Sequence, residues 1–221
     1  MSFPAVFASN TSKLLPPKQV LSQAWHDRTS VLQPGVNLFC WQRPPIPPIT
    51  AYLSEVVQQQ PERIHLPITM GNLGKQLKKA RKAWPGQATE QAALFWHDVQ
   101  QLSHDFLQMA NCNQGQLHLR VVDNDACTKF HVDCYKLRLF TTYYGKGTEW
   151  LPESAVNRAG LGKSNEQIVK DPTQVQRLQA FEVGILKGEA PNSLDATKGI
   201  VHRSPAIEHA HEKRIILRID L

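Results

Sequence analysis

The spacing of apolar residues changes about halfway along the chain, and this change predicts two kinds of secondary structure. Apolar residues recur three or four positions apart over residues 49–57 and again over residues 92–107, which is the spacing of amphipathic helices. After Gly115 the apolar stretches become short, several of them alternate with polar residues, and turn residues separate them. This second pattern is typical of β-strands. Helices are therefore expected to precede strands.

The predicted elements form one domain, which covers residues 36–221. The strands are expected at residues 36–41, 64–67, 116–122, 128–133, 136–144, 148–151, 180–186, 199–202 and 214–219. Helices are expected within residues 49–112, the β core within residues 115–221, and residues 1–35 as a peripheral segment with a short amphipathic stretch at 18–26. A polar excursion follows over residues 152–173, with a turn of helix near 174–178. The fold class is α+β, in which the many short strands close into a jelly roll and the N-terminal helices pack on it.

Composition and charge add only a few expectations, which concern the partners, the location and the cysteines. The 221 residues carry a formal net charge of +6, which favours an anionic partner. The densest basic run, residues 75–82, is interpreted as the solvated face of a helix, and nucleic-acid contact is the alternative left open. The sequence contains no apolar run long enough to span a bilayer and no pattern of a signal peptide, so a cytoplasmic location without a membrane partner is expected. The four cysteines are then expected to be free thiols.

One short motif carries candidate chemistry. His131 and Asp133 lie two residues apart on a predicted strand and can project into one cavity. A second histidine, His202, lies on a predicted strand about seventy residues later. Two imidazoles and one carboxylate on one face of a metal are the ligand set of non-haem Fe(II) oxygenases. The sequence therefore predicts a metal site formed by these three residues.

Three segments resemble a known bacterial family, the domain of unknown function 1826. They are Phe-His-Val-Asp at residues 130–133, Thr-Tyr-Tyr-Gly-Lys-Gly-Thr-Glu-Trp at residues 142–150 and Val-His-Arg-Ser-Pro at residues 201–205. The order of parts also resembles the double-stranded β-helix of the Fe(II)/2-oxoglutarate-dependent oxygenases. This second resemblance implies a dioxygenase of hydroxylase or demethylase type that acts on an unknown substrate.

The resemblance also assigns roles to residues. It implies that His131, Asp133 and His202 bind Fe(II) and that Arg214 binds the far carboxylate of the cosubstrate 2-oxoglutarate, with Arg218 as second choice. Arg203 adjoins the distal histidine and competes for the anchoring role. Thr142 and Tyr143 are candidates for lining the cosubstrate pocket, and ordinary cross-strand packing is their alternative.

Other functions remain open at this stage. A zinc-binding or metal-homeostasis protein with a cupin-like fold and no 2-oxoglutarate turnover is the main alternative, and its ligands would be drawn from the cysteines and histidines near the motif, which are Cys127, His131, Cys134, His202, His209 and His211. A metal-dependent cupin-like enzyme would keep the three ligands and not need the two arginines. A third alternative is a barrel that binds a ligand or partner without turnover.

Overall fold

The computed structural model describes residues 16–191 and 193–221. The helices are α1 (Pro47–Gln59), α2 (Leu73–Arg81), α3 (Glu90–Met109) and the single turn α4 (Asn165–Ile168). The strands are β1 (Lys18–Ser22), β2 (Val36–Trp41), β3 (Ile64–Thr69), β4 (Gln114–Val122), β5 (Leu137–Tyr144), β6 (Glu149–Leu151), β7 (Gln176–Arg177), β8 (Val183–Lys187), β9 (Val201–Arg203) and β10 (Arg214–Asp220). Helical content precedes most of the strands, as the sequence predicts.

Most strands belong to one large sheet. Its seven strands run in the order β1-β2-β8-β5-β10-β4-β3, and a second sheet has the order β7-β6-β9. Every pairing between named strands is antiparallel except that of β1 with β2. A parallel pair needs a crossover connection, and a 3₁₀ helix at Trp25–Leu32 lies within it.

The two faces of the large sheet have different coverings. On one face, alternate strand residues such as Leu139, Leu217 and Ile219 join α1, α2 and α3 in one hydrophobic core. On the other face, Leu38 of β2 and Leu186 of β8 pack against Trp150 of the small sheet. Because neighbouring residues of a strand point to opposite faces, the charged members of β5 and β10 lie on this second face, away from the helices.

Three local predictions are wrong. Residues 18–26 form an edge strand followed by a 3₁₀ helix, so part of the predicted peripheral segment belongs to the large sheet; residues 1–15 of that segment lie outside the described residues. Residues 128–133 make one isolated bridge, at His131, in place of a strand. The helical turn expected near residues 174–178 lies earlier, as a 3₁₀ turn at Pro172–Gln174, and the short strand β7 follows it.

A buried polar network joins the helices to the sheet. Arg43 donates two hydrogen bonds to the carboxylate of Asp98 on α3, at 2.6 and 2.8 Å. The hydroxyl of Tyr143 on β5 donates a third to the same carboxylate at 2.6 Å. Arg43 also donates to the carbonyl of Phe181 at 2.8 Å. Asp98 therefore neutralises a buried guanidinium and orients α3 on the sheet.

Within the described residues, no helix has both the length and the hydropathy needed to span a membrane.

Removal of the Asp98 carboxylate tests this network. Asp98→Ala leaves Arg43 and Tyr143 buried without their acceptor, and breaking a buried pair in this way costs about 3 kcal/mol or more of unfolding free energy. Urea denaturation followed by circular dichroism measures this loss. The control is Gln100→Ala, at an exposed position of the same helix, for which we expect little change. Equal stability of the two variants would contradict a structural role for the network.

Candidate metal site

A backbone pair brings the two candidate histidines together. The amide of His131 donates to the carbonyl of His202 at 3.0 Å, and the amide of His202 donates back at 2.9 Å. His202 lies on β9, whose partner in the small sheet is β6. Residues exchanging both hydrogen bonds in this way lie directly opposite each other. Their ring centroids are 4.6 Å apart.

Other contacts hold the segment that carries His131 and Asp133. The side chain of Asn165 accepts from the amide of Phe130 at 2.8 Å and donates to the carbonyl of Thr128 at 3.0 Å. The amide of Glu189 donates to the carbonyl of Asp133 at 2.7 Å. A Cβ atom at Gly188 would lie 2.5 Å from that same carbonyl oxygen, so only glycine allows this approach. Side-chain and loop contacts thus replace the missing strand ladder.

Both imidazoles present the same ring nitrogen to Asp133. Nδ1 of His131 lies 2.9 Å from the carbonyl oxygen of Lys129, and Nδ1 of His202 lies 3.2 Å from that of Ile200. A ring nitrogen that donates to a carbonyl leaves the other as the basic, ligand-binding atom. The two Nε2 atoms lie 3.6 and 3.3 Å from the Asp133 carboxylate oxygens. One potential donor atom of each residue lies within 4.8 Å of the other two.

Asp133 is buried and ionised. Burial opposes its charge, but contacts with His131 and His202 and the Arg138 guanidinium hold the pKa of this carboxyl well below its usual range. In return, contact with Asp133 raises the pKa of His131 against the opposing effect of burial. Nη1 of Arg138 lies 2.5 Å from Asp133 Oδ1. Arg138 also donates to Asp220.

Arg138 and Asp220 are not among the site residues predicted from the sequence. Arg138 lies on the same face of β5 as Thr142, and Asp220 lies on the same face of β10 as Arg214. A buried charge in an otherwise apolar strand is a signal for such a position, but it does not identify the partner.

The geometry fits a divalent transition metal. Asp133 Oδ2 and His202 Nε2 are buried and have no hydrogen-bond partner among the described residues, although unpaired buried polar groups are costly. Two imidazole nitrogens and one carboxylate oxygen suit Fe(II) and leave further coordination positions for other ligands. Within residues 16–191 and 193–221, His131, Asp133 and His202 are the one group of three or more such side chains close enough to share an ion.

The thiolate alternative has less geometric support. All four cysteines are free, and Cys127 and Cys134 are exposed. Cys127 Sγ lies 3.5 Å from Nδ1 of His131. This nitrogen already contacts a carbonyl oxygen, and it is the other ring nitrogen, Nε2, that faces Asp133. His209 and His211 are exposed on the connection between β9 and β10. Asp133, which a thiolate zinc site does not need, is the residue that both histidines face.

The candidate anchor Arg214 is buried and lacks an acidic partner. It is 2% exposed, donates to the hydroxyl of Thr142 at 3.3 Å, and pairs with no carboxylate in the described parts of the chain. Its Nε has no partner there either. Burial and then the charge of Arg120 lower the pKa of this guanidinium to about 10. A buried cation of this kind is suited to a negatively charged ligand.

The remaining predicted cosubstrate residues differ from Arg214. Arg218 is partly exposed, and its Nε lies 3.1 Å from Asp220 Oδ2. Arg203 donates to Glu149 at 2.7 Å, a carboxylate that Arg177 also contacts, so Arg203 already has an acidic partner. Tyr143 points into the helix-side core and bonds Asp98. Because adjacent residues of β5 point to opposite faces, Thr142 lies on the face of Arg214. Thr142 therefore remains a candidate for lining the cosubstrate pocket, whereas Tyr143 does not.

Comparison with solved structures defines the class of fold. The dioxygenase for auxin oxidation 1 from Arabidopsis thaliana, in a 2-oxoglutarate binary complex, superposes with a TM-score of 0.50 at 11% identity, over 94% of this chain and 92% of that one. The dioxygenase for auxin oxidation from rice gives 0.49 at 8% identity, over 93% and 82%. A prolyl-4-hydroxylase from Pseudomonas putida gives 0.41 at 10% identity, over 83% and 91%. The first of these likenesses assigns an oxygenase-like α+β fold and nothing finer.

Sequence comparison then gives the family. The family described as "Protein of unknown function (DUF1826)" matches residues 22–220. The chain therefore belongs to the DUF1826 family, as its motifs indicate. No curated protein matches the chain significantly in sequence.

Metal-dependent stabilisation tests the site. A ligand present at 100 times its Kd stabilises the folded state by about 2.7 kcal/mol, or roughly 5–10 °C in melting temperature for a chain of this size. We expect Mn(II) or anaerobic Fe(II) to produce such a shift in the wild type and none in Asp133→Ala. The control Asp123→Ala, at an exposed position, should keep the shift. An unchanged shift in Asp133→Ala would exclude this site.

Proposed function

We propose that the protein is an Fe(II)/2-oxoglutarate-dependent oxygenase. The observation that carries the proposal is the convergence of His131, Asp133 and His202 near one point, on the face of the large sheet that also carries the unpaired Arg214. A metal triad and a buried cation are the two features that this chemistry requires of the protein. A cupin-like metal enzyme would need the first feature alone.

The strand order supports a double-stranded β-helix. Within the large sheet β4, β10, β5 and β8 are neighbours. In the small sheet β9 lies between β6 and His131, and β7 pairs with the other edge of β6. The chain crosses repeatedly between these two sets of antiparallel strands, the arrangement of a jelly roll. The candidate ligands then lie between the two sheets.

The protein side chains would hold the metal in a defined orientation. His131 and His202 would bind Fe(II) through Nε2, because carbonyl oxygens contact their Nδ1 atoms, and Asp133 would supply a carboxylate oxygen. When bound, Fe(II) supplies the O₂ and one-electron chemistry that couples decarboxylation of 2-oxoglutarate to oxidation of a substrate. Arg138 orients Asp133 and lowers its basicity through their contact.

Arg214 is the better of the two arginines for binding the far carboxylate of 2-oxoglutarate. A guanidinium offers a planar pair of donors that matches a carboxylate, and Arg214, although the charge of Glu149 acts on it, forms no ion pair with an acid among the residues described. Arg218 instead contacts Asp220. Thr142, whose hydroxyl accepts from Arg214, orients the guanidinium and offers a donor to the same carboxylate.

Succinate formation tests the proposed reaction. The protein, loaded anaerobically with Fe(II) and given 2-oxoglutarate and O₂, should release succinate even without its substrate at a low, uncoupled rate. Asp133→Ala should release none, whereas Asp123→Ala should match the wild type. Succinate formation that survives in Asp133→Ala, or its absence from metal-loaded wild type, would contradict the proposal.

Substitution of Arg214 tests the anchor. A hydrogen bond to a charged group contributes about 1.5–3 kcal/mol, so Arg214→Gln should raise the 2-oxoglutarate KM roughly 10- to 100-fold with a smaller effect on metal affinity. Measurement of succinate against 2-oxoglutarate concentration gives this value, and Mn(II) binding gives the control. A rise in KM in Arg218→Gln and not in Arg214→Gln would assign the anchor to Arg218. No rise in either would favour the cupin-like alternative.

A further inference from the structure

A cationic groove lies beside the proposed cosubstrate site and is not used by it. It has a volume of about 200 Å³ and is lined by β3, β4 and β10, together with the residue that precedes β3. Its basic side chains are Arg63, His65, His118, Arg120 and Arg218. We infer that this groove binds a compact anion with two negative charges, a phosphate or a dicarboxylate, carried by the substrate.

The strand register assembles these side chains. His118 on β4 lies opposite His65 on β3 and opposite Arg218 on β10, so the three form a row across three strands on the face away from the helices. Arg120, two residues further along β4, lies opposite Ile216 and points to the same face. The two imidazoles stack with their centroids 4.2 Å apart. The sheet itself therefore positions the groove.

Of the three guanidinium groups in this groove, only that of Arg218 contacts a carboxylate of the described residues. Asp220 contacts Arg218 at 3.1 Å, but Arg138 binds the same carboxylate. Arg63 and Arg120 form no ion pair with any described residue, and the residues outside the described ranges contain no Asp or Glu. Burial, and then the charges of Arg218 and Arg63, lower the pKa of Arg120. Gathered cations without counter-charge are unfavourable by themselves and attract anions.

The lining of the groove does not include Arg214, and a series of ion pairs links the groove to one of the candidate metal ligands. Ile216 lines the groove and lies between Arg214 and Arg218 on one face of β10. Asp220, roughly 7 Å from Arg218 along the strand, contacts Arg138, which in turn contacts Asp133. Buried ion pairs therefore connect the groove to the candidate metal ligand. A volume of about 200 Å³ suits one compact anionic group.

The designation of this anion as part of a substrate rests on the proposed function, whereas anion binding itself does not. The test is therefore made on metal-free, full-length protein. Isothermal titration calorimetry with inorganic phosphate and with malonate measures whether either dianion binds and which binds more tightly. We expect saturable binding of at least one of these anions. Tighter binding of phosphate would indicate a phosphate group on the substrate, and tighter binding of malonate would indicate a dicarboxylate.

Matched variants locate the binding. Loss of one charge-assisted contact weakens affinity about tenfold, and we expect this weakening in Arg120→Gln and in Arg63→Gln. Because Arg63 is exposed, its replacement should not affect folding. Lys79→Gln, which removes one exposed positive charge on α2, should keep the wild-type affinity.

Four results would overturn the inference. They are the absence of saturable binding, equal weakening in Lys79→Gln and Arg63→Gln, unchanged affinity in both groove variants, and loss of binding in Arg214→Gln with none in the groove variants. A failure of succinate formation with intact, Arg120-dependent anion binding would instead overturn the proposed function and leave the groove as an anion site.

Discussion

Two backbone hydrogen bonds between His131 and His202 are the constraint on which the candidate site depends. The segment around His131 has no other strand partner among the described residues, so this pair determines where it meets the small sheet. Once the two residues are opposite each other, their imidazoles lie side by side, and Asp133 follows His131 by two residues in the same segment. Asn165 and the close approach of Gly188 hold the segment in this position.

A series of charged side chains, of which Asp133, Arg138 and Asp220 are buried, extends from this pair across the large sheet. Asp133 contacts Arg138, Arg138 contacts Asp220, and Asp220 contacts Arg218 and His118. Breaking a buried pair of this kind by removing one member is destabilising, so each residue depends on its neighbour and orients it. The face away from the helices therefore carries the candidate chemistry, while the other face carries most of the hydrophobic core.

Periodicity predicted most of the elements because their stability comes from one apolar face. The helix of residues 90–109 and the strand of residues 137–144 are examples. Residues 128–133 have a strand-like alternation, but contacts with distant residues such as Asn165 give them a different backbone, and a single sequence does not contain that information. Similarly, the alternation predicts that Thr142 and Tyr143 point to opposite faces of the sheet, but it does not predict which face the helices cover. The three candidate ligands were predicted from residue type and spacing. The positions of Arg138 and of the groove arginines relative to their neighbours depend on strand register, which the sequence alone does not give.

The most direct measurement is a crystal structure of the protein grown anaerobically with Mn(II) and 2-oxoglutarate. The account expects one metal ion bound by His131 Nε2, His202 Nε2 and an Asp133 carboxylate oxygen, with the far carboxylate of 2-oxoglutarate on Arg214 and Thr142. A metal bound by Cys127 or Cys134, or an Asp133 side chain turned away from a bound metal, would contradict it.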